Sequence, residues 1–142
     1  MIRFRLLALF LCAACQGTYA QEITLHHICQ AICQIETGTV WIAPGKVEGR
    51  WQEGEAGEIG PWQTLPEVAR EMGYDPEHIR HSARSCERLF LARMEYLIAR
   101  TTTLKEAAAA YHGGLRGRNR SYAKAYATRA LNLATRLATE QQ

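Results

Sequence analysis

Alternating apolar and polar residues, the mark of a half-buried β-strand, do not run for any useful length in these 142 residues. Helices are left to carry the fold. Charge of one sign is also scarce. The formal net charge is +3, and it falls to about +1 once Arg3 and Arg5 leave with an N-terminal leader. Such a chain is a poor match for nucleic acid. The one apolar run, "LLALFLCAAC", is too short for a stable membrane span. After the leader no compact CxxC pair is present, so a metal site at His26, Cys29, Cys33 and Cys86 rests on helical spacing alone. Proline is sparse too, and the three G-x-y triplets of "GEAGEIGPW" are too few for a collagen helix. Those glycines instead let the backbone turn tightly and approach a ligand.

The leader itself is well formed. Arg3 and Arg5 precede the apolar run, and "TYA" offers a small-residue cleavage site before Gln21. Residues 1–20 therefore read as a signal peptide and 21–142 as one exported domain, periplasmic or cell-wall associated. The leucine that usually lies three residues before a lipidated cysteine is missing ahead of Cys15, which favours simple export over a lipoprotein. Export implies an oxidising compartment, and Cys86 is expected to pair with Cys29 or Cys33. One basic stretch, "LRGRNRSYAK" with Arg116, Arg118, Arg120 and Lys124, reads either as a solvated loop or as a lip for a polyanionic substrate.

The exported part reads as mainly α. A first helix covers 22–37 and stops at Gly38. Glycines, Pro44 and Pro61 make 38–61 a Gly-rich loop or small irregular lobe. A short helix follows over Leu65–Met72. A longer pattern runs over 77–101, with Ile79, Cys86, Leu89, Phe90, Met94, Leu97 and Ile98 as its stripe. "TTTLKEAAAAYH" starts another helix with a threonine cap and closes at Gly113-Gly114. "RSYAKAYATRALNLATRLATEQ" is the last.

Glu36 is out of place on the first helix. At about 100° per residue, Leu25, Ile28, Cys29 and Ile32 share one side, and Glu36 falls near its centre. His27, Gln30 and Gln34 lie opposite. Glu36 also sits in the last turn, where the helix dipole disfavours negative charge. Both effects raise a carboxyl pKa, as a general acid requires. A buried glutamate satisfied by a local partner fits the same pattern, and this helix alone leaves both readings open.

Four segments in order, Glu36-Thr37-Gly38, "GEIGPWQ", "AYHGG" and "YAKAYATRAL", resemble the lysozyme-like lytic transglycosylases of the SLT type. The resemblance spans residues 24–133 and implies a lysozyme-like helical domain acting on peptidoglycan strands. Glu36 matches the family's single catalytic acid/base. Thr37 stands where serine is usual. Gly60 and Gln63 match a Gly-x-x-Gln motif whose glutamine lines the sugar groove. Tyr111 matches the tyrosine of an Ala-Tyr-Asn motif, with His112 in place of the asparagine. Tyr126 matches a tyrosine that commonly hydrogen-bonds the catalytic carboxyl, while Tyr122 occupies the place of an acid often found four residues earlier. Trp62 reads equally as a packing residue or a sugar-stacking platform.

The implied reaction cleaves the bond between N-acetylmuramic acid and N-acetylglucosamine and leaves a 1,6-anhydromuramoyl end, with no metal or cofactor. Two other readings stay open: a hydrolytic muramidase using a loop glutamate (Glu48, Glu53, Glu55 or Glu58), and a peptidoglycan-binding assembly factor without turnover. By the same resemblance, small enzymes of this type often serve a secretion, conjugation or pilus machine or belong to phages.

Overall fold

Thr24 decides where the first helix begins. In the computed structural model, which describes residues 22–140, α1 spans Leu25–Thr37. The leader over 1–20 and Cys15 lie outside the described residues. The Thr24 hydroxyl accepts from the His27 N–H at 3.4 Å, and His27 Nδ1 accepts from the Thr24 N–H at 3.1 Å. This reciprocal cap starts the helix at Leu25 instead of at residue 22. It also draws His27 inward, to 8% exposure, although the wheel puts it on the outer side. Gly38 closes the helix at φ +70°, its N–H donating to the Gln34 carbonyl at 3.0 Å.

A hairpin follows that the sequence pattern does not show. Strands β1 (Val40–Ala43) and β2 (Lys46–Glu48) pair antiparallel, with Trp41 opposite Val47. Runs of four and three residues are too short to print a period of two. A buried carboxylate holds the hairpin down. Glu87 Oε2 accepts from Trp41 Nε1 at 2.7 Å and from the Gly45 N–H at 2.6 Å. Glu87 is only 8% exposed, and these two donors satisfy it.

The loop then returns as a tight turn, with Ile59 and Thr64 exchanging backbone hydrogen bonds at 2.8 and 3.0 Å. Trp62 at its tip is 1% exposed, stacks on Phe90 at 5.5 Å, and donates from Nε1 to the Cys29 carbonyl at 2.9 Å. It is therefore a core residue and not a sugar platform.

Three helices come next: α2 (Pro66–Glu71), α3 (Pro76–Ile79) and α4 (Ala83–Ile98). The pattern over 77–101 is thus two helices. Ser82 interrupts it by turning its hydroxyl to the Ser85 N–H at 3.2 Å, capping α4. Of the expected stripe, Ile98 is exposed and the other six side chains are buried. Helix α5 (Leu104–Gly117) runs past its expected end, with Gly114 at φ 72°, ψ 166° kinking it instead of closing it. Helix α6 (Ser121–Glu140) buries Ala123, Ala127, Ala130, Ala134 and Ala138. These small side chains let α6 pack closely on α1 and on the Ala107–Ala110 run of α5.

The expected disulfide is absent: Cys29, Cys33 and Cys86 are free and buried. The 60–62 turn explains why. Gly60 packs against the Cys86 thiol and Trp62 against the Cys29 carbonyl, so the turn separates α4 from α1. Cys33 Sγ lies 2.9 Å from the Thr39 hydroxyl, and Cys86 Sγ donates to the Ile79 carbonyl at 3.3 Å. Burial pushes both thiols up to about 11, which keeps them unreactive. Among the described residues no three His, Cys, Asp or Glu side chains gather to hold a metal, and no helix is long and apolar enough to cross a membrane.

Candidate active site

Packing of α6 on α1 brings together two residues ninety positions apart. Tyr126 Oη donates to Glu36 Oε1 at 2.5 Å. Burial raises the Glu36 pKa above the ordinary carboxyl value. Opposing it, in decreasing order, are the Tyr126 hydrogen bond and the charge of His112. Glu58 pushes the pKa up again, and Arg129 pulls it down. Burial also drives the Tyr126 hydroxyl far above its ordinary pKa, so it remains a donor. The His112 ring lies parallel to Tyr126 with centroids 4.2 Å apart, and meets Tyr122 edge-on at 5.8 Å.

Glu36 opens onto a groove of about 470 Å³ that Glu58, Gln63, Arg93, Tyr111 and His112 also line. That volume is in the range of small-ligand sites. Gln63 is held at φ +48°, a left-handed conformation that a non-glycine residue adopts only where its surroundings demand it. Its Nε2 donates to the carbonyls of Gly60 and Gln52, both at 3.0 Å. Those bonds hold the side chain still.

The hydroxyls of the remaining expected site residues are engaged within the chain, and of these residues only Tyr111 lines the groove. Tyr111 Oη donates to the Trp62 carbonyl at 2.6 Å, which ties the turn to α5 and occupies the hydroxyl within the chain. The Thr37 hydroxyl lies within hydrogen-bond distance of the Cys33 carbonyl, the Pro61 carbonyl and the Thr39 hydroxyl. One hydroxyl has little capacity left beyond those contacts. Gly60, at φ +77°, lets the turn sit directly on Cys86. Neither Thr37 nor Gly60 lines the groove. Both hold Gln63 and the end of α1 in register.

Two charged groove residues are not singled out by the sequence: Glu58 is only one of four candidate loop glutamates, and Arg93 is not among the candidates. Glu58 lies in the glycine loop among three other glutamates, and no periodicity separates it from them. The structure anchors it: its Oε2 accepts from the Ala56 N–H at 3.0 Å. Arg93 did leave a signal, a cation placed between Leu89 and Leu97 at four-residue spacing on an inward face. Its Nη2 donates to the Tyr111 carbonyl at 3.1 Å, and its Nε is buried without a hydrogen-bond partner among the described residues.

Tyr126→Phe removes a bond that favours the carboxylate, so the Glu36 pKa rises further. The alkaline limb of any Glu36-dependent activity is expected to move to higher pH. A pH–rate profile reads this directly, and an unmoved limb would mean that Tyr126 acts by packing alone.

Protein-family models, curated proteins and solved structures offer no match to this chain.

Proposed function

We propose that the protein is a lytic transglycosylase of lysozyme-like fold, exported to cut peptidoglycan, with Glu36 as acid and then base. The observation that carries this reading is the Glu36–Tyr126 hydrogen bond beside a groove. A half-buried carboxyl with a raised pKa reaches a ligand-sized cleft, and a tyrosine fixes its orientation. General acid catalysis asks for that combination.

The steps use one proton in a closed cycle. Protonated Glu36 gives its proton to the glycosidic oxygen as the bond from muramoyl C1 breaks, and the N-acetylglucosamine end leaves as an alcohol. The Glu36 carboxylate then takes the proton of the muramoyl C6 hydroxyl while that oxygen bonds to C1. The anhydro end forms without water, and Glu36 is protonated again. Gln63 and His112 line the groove in which the strand would lie. Muropeptide masses from a digest of purified peptidoglycan test the reading. Products one water lighter than reducing-end species are expected; only reducing ends would overturn it.

One observation favours hydrolysis instead: Glu58, a second carboxylate, lines the same groove as Glu36. Paired carboxylates that flank a sugar let one of them activate water or act as nucleophile. Glu58→Gln separates the two. Under transglycosylation the variant still makes anhydro ends, and its alkaline limb moves to lower pH because the charge that raises the Glu36 pKa is gone. Under hydrolysis its turnover falls by about 10²–10⁴-fold.

A further inference from the structure

A second groove, about 770 Å³ in volume, lies beside the Glu36–Tyr126 pair, between the end of α1 and one stripe of α6. The stripe follows from helical period. Arg129, Asn132 and Arg136 stand three and four residues apart, flanking the alanine stripe that packs inward. Small alanines set the helices close, so the longer neighbours form a wall above the contact.

The chemistry of this wall has one sign. Gln34, Asn132 and two guanidinium groups line it, and no acid does. Among the described residues the ion pairs both belong to Arg80, so Arg129 and Arg136 have no carboxylate partner. They stand two helical turns apart, about 10 Å along the axis. Guanidinium forks match carboxylates in two-point hydrogen bonds. The groove also lies next to the acid, because Ile35 and Ala125, which line it, immediately precede Glu36 and Tyr126 in the chain. The Glu36 groove carries charge of both signs, Glu58 and Arg93, whereas the α1–α6 groove carries cations alone. The two grooves therefore differ in what they accept.

We infer that the α1–α6 groove is an anion subsite holding the carboxylates of the peptide stems that the glycan strand carries. The identity of the strand rests on the transglycosylase reading; the anion preference rests on Arg129, Asn132 and Arg136.

Binding is tested in the Glu36→Gln protein, which keeps the strand intact. Labelled tetrasaccharides with tetrapeptide stems are titrated against the same tetrasaccharides stripped of peptide, with fluorescence anisotropy as the readout. The stem-bearing form is expected to bind about tenfold more tightly, the gap narrowing with salt. Adding Arg136→Glu should erase the gap, whereas Arg88→Glu, an exposed reversal on α4, should keep it. A melting curve checks that each variant is folded. Equal affinity for the two glycans, equal effects of the two reversals, or no binding of either glycan would overturn the inference. The transglycosylase reading stands or falls separately, on the anhydro products of the active protein.

Discussion

Glu36→Gln is expected, on the proposed transglycosylase function, to lower peptidoglycan cleavage by about 10²–10⁴-fold, the range that a positioned acid/base supplies. Glutamine keeps the shape of the side chain, and its Oε1 can still accept from Tyr126, so the fold should survive. Stability adds a second readout with a definite sign. A carboxyl whose pKa is raised by folding binds its proton more tightly in the folded state. That contribution is complete below the unfolded value, about 4.3. It is lost as pH rises through the higher folded value. At neutral pH the wild type carries a burial penalty that the amide lacks, so Glu36→Gln should melt higher. The gap should close as pH falls through the ordinary carboxyl range. An inactive variant that is also less stable at neutral pH would make Glu36 a structural residue. Activity equal to wild type would end the catalytic reading.

Gly60→Ala should destabilise the protein by about 2–5 kcal/mol, through two separable causes. A φ of +77° costs an L-residue about 1–2 kcal/mol. The added Cβ would also stand 2.4 Å from Cys86 Sγ, and forcing atoms into a packed core costs about 1–3 kcal/mol. Cys86→Ala removes the sulfur but not the backbone strain. In a double-mutant cycle by urea denaturation, the pair should therefore be more stable than the sum of the single changes implies, by about 1–3 kcal/mol. Strict additivity would mean that the turn does not rest on the thiol. Cleavage by Gly60→Ala should fall as well, because the same turn carries Gln63 into the groove.

The site is more legible in the sequence than the loop that completes it. Glu36 stands out because a helix makes its face computable: a carboxyl among Leu25, Ile28, Cys29 and Ile32 conflicts with the period. Gly38 and the helices after Thr103 and Arg120 are equally local, since caps and alanine-rich runs act within a few residues. The hairpin, the Ser82 break and the free cysteines are another matter. Each depends on a partner distant in the chain or on a single capping hydroxyl, and periodicity carries neither. Trp62 shows the difference most plainly. Its position in "GPWQ" suits a sugar platform or a core residue equally, and only the Cys29 carbonyl and the Phe90 ring place it in the core.

Sequence alone determined that the chain is mainly helical and that one glutamate sits at a helix end where its charge is disfavoured. Both follow from short-range geometry, three to four residues at a time. Tertiary structure decided what that glutamate meets: Tyr126 from ninety residues away, Glu58 from an aperiodic loop, and Arg129 from the far wall of α6. Electrostatics and hydrogen bonding act across space within a few ångströms, and the sum of those neighbours, not the residue, determines whether a carboxyl holds its proton.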